Sequence, residues 1–440
     1  MEVQELRKLR RSLNRFVAKF DTCIKTKRSR THLRTYVSGQ LGSLDRKSIE
    51  PIALEAGVAP RTLQQFLSEH RWNEAAVGQR LRAWIKRKHG YENAIGVIDE
   101  TSFAKKGTKT PGVQRQYCGA TGKTDNCVVT VHLGYVSPDF HALLDGDLYL
   151  PESWAEDPAR RREAGIPKGV VYKAKWRIAL ELLQRSRAEG VPLRWVTADE
   201  LYGRCGEFRD GVAEAGMWYV LEIPSNLMGW TREPHLERAG TVAASGHTLK
   251  KSRVVDGERS ARKVSELWHR GGPSWQLYRV KDTEKGPVVW EVRETCFLPS
   301  RDGVPCAEVR LLVAREVLTG EVKYFLAHAP AEVTTKDILC VAFSRWHIER
   351  LFEDSKGEVG FDHFEVRKYL SLRRHMILTM LSFAFLADQT HELREKKLMV
   401  ERVPGAQGRG GAARPEAHEV GDHSAPEADC CEDRVLATPR

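Results

Sequence analysis

An acid set between two bases on one helix is the feature of this sequence that most suggests chemistry. In "RWHIERLFEDSK", residues 345–356, three residues separate Arg345 from Glu349 and six separate Glu349 from Lys356. A helix turns about 100° per residue, so the three side chains project within about 40° of one another. Ile348, Leu351 and Phe352 form a neighbouring apolar arc suited to packing on a core. His347, Arg350 and Asp354 are expected on the opposite, solvent side. A surface ion pair also accounts for Arg345 and Glu349, and would contribute only a few tenths of a kcal/mol. Arg ahead of Glu is the less favourable order for that role. The helix gains a chemical meaning only if other acids converge on it.

Two acids elsewhere qualify. "NAIGVIDETSF", 93–103, is a short apolar run that reaches Asp99, and "LRWVTADELYG", 193–203, is another that reaches Asp199. Both read as buried strands. Three carboxylates brought to one point repel each other unless cations neutralise them. Two divalent ions about 3.5–4 Å apart would do so, and would stabilise the attacking and leaving oxygens of phosphoryl transfer. Mg²⁺ suits such a site because it takes one or two carboxylates and keeps its other positions for water and phosphate. Arg345 and Lys356 would then hold phosphates of the substrate on the same face. Glu100 and Glu200 directly follow the two aspartates. Neighbouring strand residues face opposite ways, so both are expected to support the site or face solvent rather than bind the ion. Glu353, one turn beyond Glu349, is the fallback acid.

The elements that must position these residues follow from the pattern of the chain. Residues 1–90 are helical and basic. "SIEPIALEAGVAPRTLQQFLSEH", 48–70, reads as a helix, a turn at Gly57-Val58-Ala59 and a second helix opened by Pro60. That helix-turn-helix carries Arg61 into a DNA-facing position, with an ordinary helical hairpin as the equally weighted alternative. From 91 to 225 come strands at 93–103, 126–136 and 140–151, a helix at 172–190, a strand at 193–203, a short helix, and a strand at 218–224. This order makes a mixed α/β sheet flanked by helices. Residues 226–333 alternate in short segments, among them "RKVSELWHR", "PSWQLYRVKD" and "PVVWEVRETCFL", and read as an all-β insertion. Helical pattern returns over 334–402, with Thr334 or Thr335 as a cap. Residues 403–440 read as a disordered acidic tail, whose seven acids against four arginines over 405–440 oppose DNA binding there.

Bulk properties narrow the partners. The 440 residues carry a net charge of +11, which favours a polyanion. The nine cysteines show no metal-ligand spacing and fit reduced cytosolic thiols rather than a disulfide scaffold. The longest apolar stretch, 376–387, is too short to span a bilayer and reads as a core helix. Lys105, Lys106, Lys109, Arg115 and Lys123 cluster in the hairpin after Asp99, where phosphate contact is favoured over a merely solvated loop.

Several stretches together carry a family resemblance: "VIDETSFAKKG", "RQYCGATGKTDNCVVTVHLGY", "LYLPESWAEDPARRREAGIP", "WVTADELYG" and "RWHIERLFEDSKGEVGFDHFEVRKY". Over roughly residues 90–390 the chain resembles the DDE transposases of bacterial insertion sequences, in the subgroup with a β-strand insertion before the last acid. The resemblance implies an RNase H-like core in which Asp99, Asp199 and Glu349 ligate two Mg²⁺ ions, with Mn²⁺ able to substitute. It implies cutting at the terminal inverted repeats to release a 3′-hydroxyl, which then attacks the opposite strand or target DNA. A homodimer would hold two DNA ends. The family's Tyr-Arg-Glu-Lys signature is met by Arg345, Glu349 and Lys356, but its Tyr position is Ala342. Phe343 or Trp346 would have to supply that surface. An insertion aromatic that holds a flipped base would be Trp230, Trp268, Trp275 or Trp290, although core packing is the commoner fate of any one Trp. A non-cutting DNA-binding regulator and a decayed or domesticated transposase are the alternatives.

Overall fold

Five α-helices precede the first strand in this computed structural model, which describes residues 3–242, 247–267, 274–283 and 286–401. The expected acidic tail at 403–440 and Trp268 lie outside the described residues. The helices are α1 (Val3–Ala18), α2 (Lys27–Gln40), α3 (Ile49–Glu55), α4 (Pro60–Ser68) and α5 (Glu74–His89). Thr26 and Asn73 cap α2 and α5 through their side-chain oxygens. Gly57, with φ of 67°, makes the turn between α3 and α4 that a side chain would strain. The two helices and the turn expected over 48–70 are present, an arrangement common to a helix-turn-helix and to an ordinary helical hairpin.

The central sheet begins with β1 (Ala94–Ala104), β2 (Gln114–Cys118), β3 (Lys123–Val136) and β4 (His141–Leu148). Helices α6 (Glu152–Ala155), α7 (Pro158–Ala164) and α8 (Lys175–Ala188) follow. Next come β5 (Leu193–Ala198), α9 (Glu200–Gly203), α10 (Gly206–Glu214) and β6 (Trp218–Ile223). Strand β1 is antiparallel to β3 and parallel to β5, and β5 is parallel to β6. Both β2 and β4 pair with β3. The polar Gln114-Arg115-Gln116 run of β2 gave no strand signal; its backbone pairing to β3 makes the strand.

Residues 226–333 hold β7 (Met228–Trp230), β8 (Leu236–Glu237), β9 (Arg253–Val254), β10 (Arg262–Lys263), α11 (Val264–Leu267), β11 (Gln276–Thr283), β12 (Gly286–Arg301), β13 (Val304–Pro305), β14 (Val309–Glu316) and β15 (Val322–His328). The segment read as a strand from Arg262 turns helical after two residues. The long strands do not stand apart from the core: β15 pairs antiparallel with β6, and β14 and β12 continue outward from it.

The chain closes with α12 (Thr335–Phe343), α13 (Trp346–Val359) and α14 (Tyr369–Glu401). Thr334 caps α12 in a capping box with Asp337. The helical pattern over 334–360 is thus two helices, with Ser344 and Arg345 as the joint. By length and composition α14 is able to cross a membrane, unlike the shorter apolar stretch read from sequence, but 78% of its apolar window is buried within the protein. Its polar residues tie it to α2, to α4 and to the turn after α4. Gln40 bonds Thr379 and Ser382, each at 2.8 Å, and Arg374 donates to the carbonyls of Phe66, Leu67, His70 and Trp72. The N-terminal helices and the sheet therefore share one continuous apolar core.

Candidate active site

Adjacent parallel strands bring the two aspartates together. Ile98 of β1 lies opposite Ala198 of β5, so Asp99 and Asp199 emerge next to each other. Asp199 caps α9, accepting from the Leu201 amide at 3.0 Å. Asp99 accepts from the Glu100 amide at 2.7 Å, and its side chain is only 16% exposed. Burial and then the neighbouring Asp199 charge push the Asp99 carboxyl up to about 7. Asp199 is likewise raised, by burial first and Glu100 second.

Helix α13 brings the third acid. Ile348, Leu351 and Phe352 are buried as the periodicity required. Gly134 on β3 allows the approach, because a Cβ there would lie 2.9 Å from Ile348 Cδ1 and 3.0 Å from Leu351 Cδ1. Glu349 remains 59% exposed and accepts from Arg345 Nη2 at 2.8 Å. Arg345 Nη1 lies 3.3 Å from Asp99 Oδ2, and its Nε 3.9 Å from Glu222 Oε2. One guanidinium thus links carboxylates from β1, β6 and α13. Asp99, Asp199, Glu349, Lys175 and Lys356 line a single cleft of about 470 Å³. Burial lowers the Lys356 ammonium, which sits 5.5 Å from the Phe103 ring centre.

The remaining site expectations divide. Glu200 is exposed, as expected. Glu100 does line the cleft, but its oxygens are taken: one accepts from Lys175 Nζ, the other from Tyr202 Oη at 2.9 Å. Glu353 lies at the cleft, paired with Arg350 at 3.1 Å. His347 is not on a solvent face. It is buried because the β3–β4 hairpin covers that side of α13, and its ring centre lies 4.2 Å from that of His141. Ala342 is buried, Phe343 packs on Trp290 and Phe325, and Trp346 is exposed. Trp230 and Trp290 are core residues, while Trp275 lies under Arg293 and Arg315.

Among the basic residues, Lys106, Arg115, Lys123 and Arg61 are exposed, Arg61 lying 3.8 Å from Glu69. Lys105 points inward. Its ammonium donates to the carbonyls of Asp362 (3.3 Å) and Phe364 (2.8 Å) and lies 3.6 Å from the Phe364 ring centre, and burial lowers its pKa to about 8. Lys175, Tyr202 and Glu222 were not singled out from sequence. Tyr202, three positions after Asp199 on a helix, was the one with a readable signal.

A divalent cation suits Asp99 and Asp199: two half-buried carboxylates share one spot, and each is pushed up by burial and by a neighbouring acid, so a cation there would favour their ionised forms. Among the described residues no three His, Cys, Asp or Glu side chains converge into a ready-made metal site. Arg345 bridges Asp99 and Glu349.

Comparison with known proteins gives the chain a family. Residues 19–287 match the DDE superfamily endonuclease family, and the chain belongs to it. That span includes Asp99 and Asp199 and ends before Glu349. More particularly, the chain is 33% identical over 191 residues to the probable transposase for insertion sequence element IS701 of Microchaete diplosiphon, over 43% of this chain and 47% of that protein. The chain thus matches about half the length of that relative. A likeness to the NurA nuclease from Sulfolobus solfataricus covers 60% of this chain and 83% of that one at 9% identity. Its TM-score of 0.21 is too low to bear on the fold.

Proposed function

We propose that this protein is the transposase of an insertion sequence, cutting DNA at terminal inverted repeats and joining the ends to target DNA. The observation that carries the reading is the emergence of Asp99 and Asp199 side by side from parallel strands, with Glu349 on the same cleft. In this reading the sheet from β2 to β6 is an RNase H-like core. Asp99, Asp199 and Glu349 would hold Mg²⁺, or Mn²⁺ in its place. Bound there as a pair, such ions supply Lewis-acid stabilisation of the attacking and leaving oxygens of a phosphodiester.

The chain's own groups do the rest. Lys356, and Arg345 once it leaves its ion pairs, would engage phosphate oxygens when DNA enters the cleft. Lys106, Arg115 and Lys123 would hold the backbone nearby, and Arg61 would do so from the helix-turn-helix. Partners are the terminal repeats, target DNA and a second copy of the chain in the synaptic complex. The cellular setting is the bacterial cytoplasm, on the nucleoid. A second reading, a protein that binds DNA without cutting it, draws support from Arg345, whose ion pairs already occupy Asp99 and Glu349.

An in vitro joining assay tests the choice. The protein is incubated with a duplex carrying the flanking repeats, a target plasmid and Mg²⁺. Joined products support the transposase reading; repeat-specific binding with intact strands supports the second.

A further inference from the structure

The cleft contains a cation that neither the catalytic acids nor the α13 signature explains. Lys175 opens α8, and its ammonium pairs with Glu100 inside the cleft that Asp99, Asp199 and Glu349 line. The pair is three-quarters buried on both sides, with each side chain 24% exposed. Glu100 does not depend on Lys175 alone. Its other oxygen accepts from Tyr202 Oη at 2.9 Å, and Tyr202 is fully buried. Burial and the surrounding carboxylates hold that phenol protonated, so it remains a donor to Glu100 whatever Lys175 does. An ammonium has three donors on a flexible four-carbon stem, and the bond to Glu100 uses one. Lys356 reaches the same cleft from α13. Two cations from separate elements therefore border one group of acids.

We propose that Lys175 is a further phosphate ligand of this site, stored on Glu100 in the free protein and transferred to a DNA phosphate beside the catalytic acids when the strand enters. Glu100 then only stores the lysine in the free protein, and is itself kept in place by Tyr202. This inference rests on the transposase reading for its ligand.

The test measures binding of a labelled duplex carrying the flanking repeats, in Ca²⁺, across a salt series, for wild type, Lys175→Gln, Lys175→Arg and Glu100→Gln. Loss of one phosphate contact should lower the magnitude of the slope of log affinity against log salt by about 0.9. Lys175→Gln is expected to show that loss and Lys175→Arg to restore it. Glu100→Gln, which frees the lysine, should keep the full slope. A duplex with one neutral methylphosphonate, scanned along the strand, should at one position remove the difference between wild type and Lys175→Gln. If Lys175→Gln and Glu100→Gln share the wild-type slope and differ only in melting temperature, the pair is structural and the proposal fails. The two readings fail separately. A Lys175-dependent slope without preference for the repeats keeps the phosphate ligand and removes the transposase reading. A protein that cuts its repeats in Mg²⁺ with a Lys175-independent slope does the reverse.

Discussion

Arg345 lies 3.3 Å from Asp99, a residue 246 positions earlier in the chain, and the contact closes the site from the α13 side. The same guanidinium reaches Glu349 at 2.8 Å. A cation that a metal-binding site would otherwise obtain from solution is here supplied by a side chain. The Asp99–Arg345 pair is therefore a structural clasp, and in the transposase reading it would compete with divalent ions for the same carboxylate.

Arg345→Ala should leave the acids without that counter-charge. Breaking a largely buried ion pair costs on the order of 2 kcal/mol once partial exposure is allowed for. Thermal unfolding in chelator should show the loss, and added Mg²⁺ should raise the melting temperature of the variant more than that of wild type. An equal rise in both would mean that the arginine does not compete with the ion.

Gly203→Ala should displace Asp199. A Cβ at Gly203 would lie 1.9 Å from the Glu222 carbonyl oxygen, a backbone atom that no rotamer change can move aside. Helix α9 would have to lift from β6, and overpacking of this kind costs roughly 1–3 kcal/mol. Gly107→Ala, which meets nothing within 4 Å, is the control and should melt like wild type. Calorimetry separates the two.

The basic residues after Asp99 should divide by what they hold. Lys105 supports the Asp362–Phe364 turn through two carbonyls, so Lys105→Ala should lower stability by about 1–3 kcal/mol, the cost of buried acceptors left unmade. It should leave the salt dependence of DNA binding intact. Arg115→Ala and Lys123→Ala should do the opposite, melting normally while each reduces the slope by about 0.9. Paired melting and salt-titration curves check the division.

His375 should make the protein acid-sensitive. The Phe361 carbonyl, at 3.1 Å from Nε2, can only accept, so Nε2 donates and Nδ1 accepts from Tyr36 Oη at 2.9 Å. Burial lowers the imidazole to about 4. The unfolded chain binds its proton near the ordinary value of about 6.5, so below that pH the unfolded state gains protons that the folded state refuses. Stability is full above about 6.5 and falls toward pH 4, by on the order of 3 kcal/mol from this residue. Denaturant titrations from pH 7 to 4 should show a slope smaller by about one proton in His375→Gln.

How far the sequence exposed this arrangement can be followed residue by residue. The apolar runs into Asp99 and Asp199 and the spacing of Arg345, Glu349 and Lys356 were visible because strands and helices stamp their period on the residues they bury. Strand β2 was not visible, since pairing by backbone alone leaves no apolar alternation in Gln114–Cys118. The burial of His347 was hidden for a related reason. A helix wheel shows one apolar face, whereas α13 is covered on a second side by the His141 hairpin. The inward turn of Lys105 and the Glu100–Lys175–Tyr202 contacts depend on segments 70 or more residues apart, and no local pattern encodes them.

The central claim is that Asp99, Asp199 and Glu349 act as one site. The most direct measurement is strand cutting of a labelled duplex carrying the flanking repeats, in Mg²⁺ and in Mn²⁺, by wild type and by Asp99→Asn, Asp199→Asn, Glu349→Gln and Glu353→Gln. The first three variants should bind DNA yet cut at least about a hundredfold more slowly, at or beyond the upper end of what losing an outer-shell partner does. Glu353→Gln should cut like wild type. Undiminished cutting by Glu349→Gln together with loss in Glu353→Gln would contradict the account and move the third acid one turn along α13.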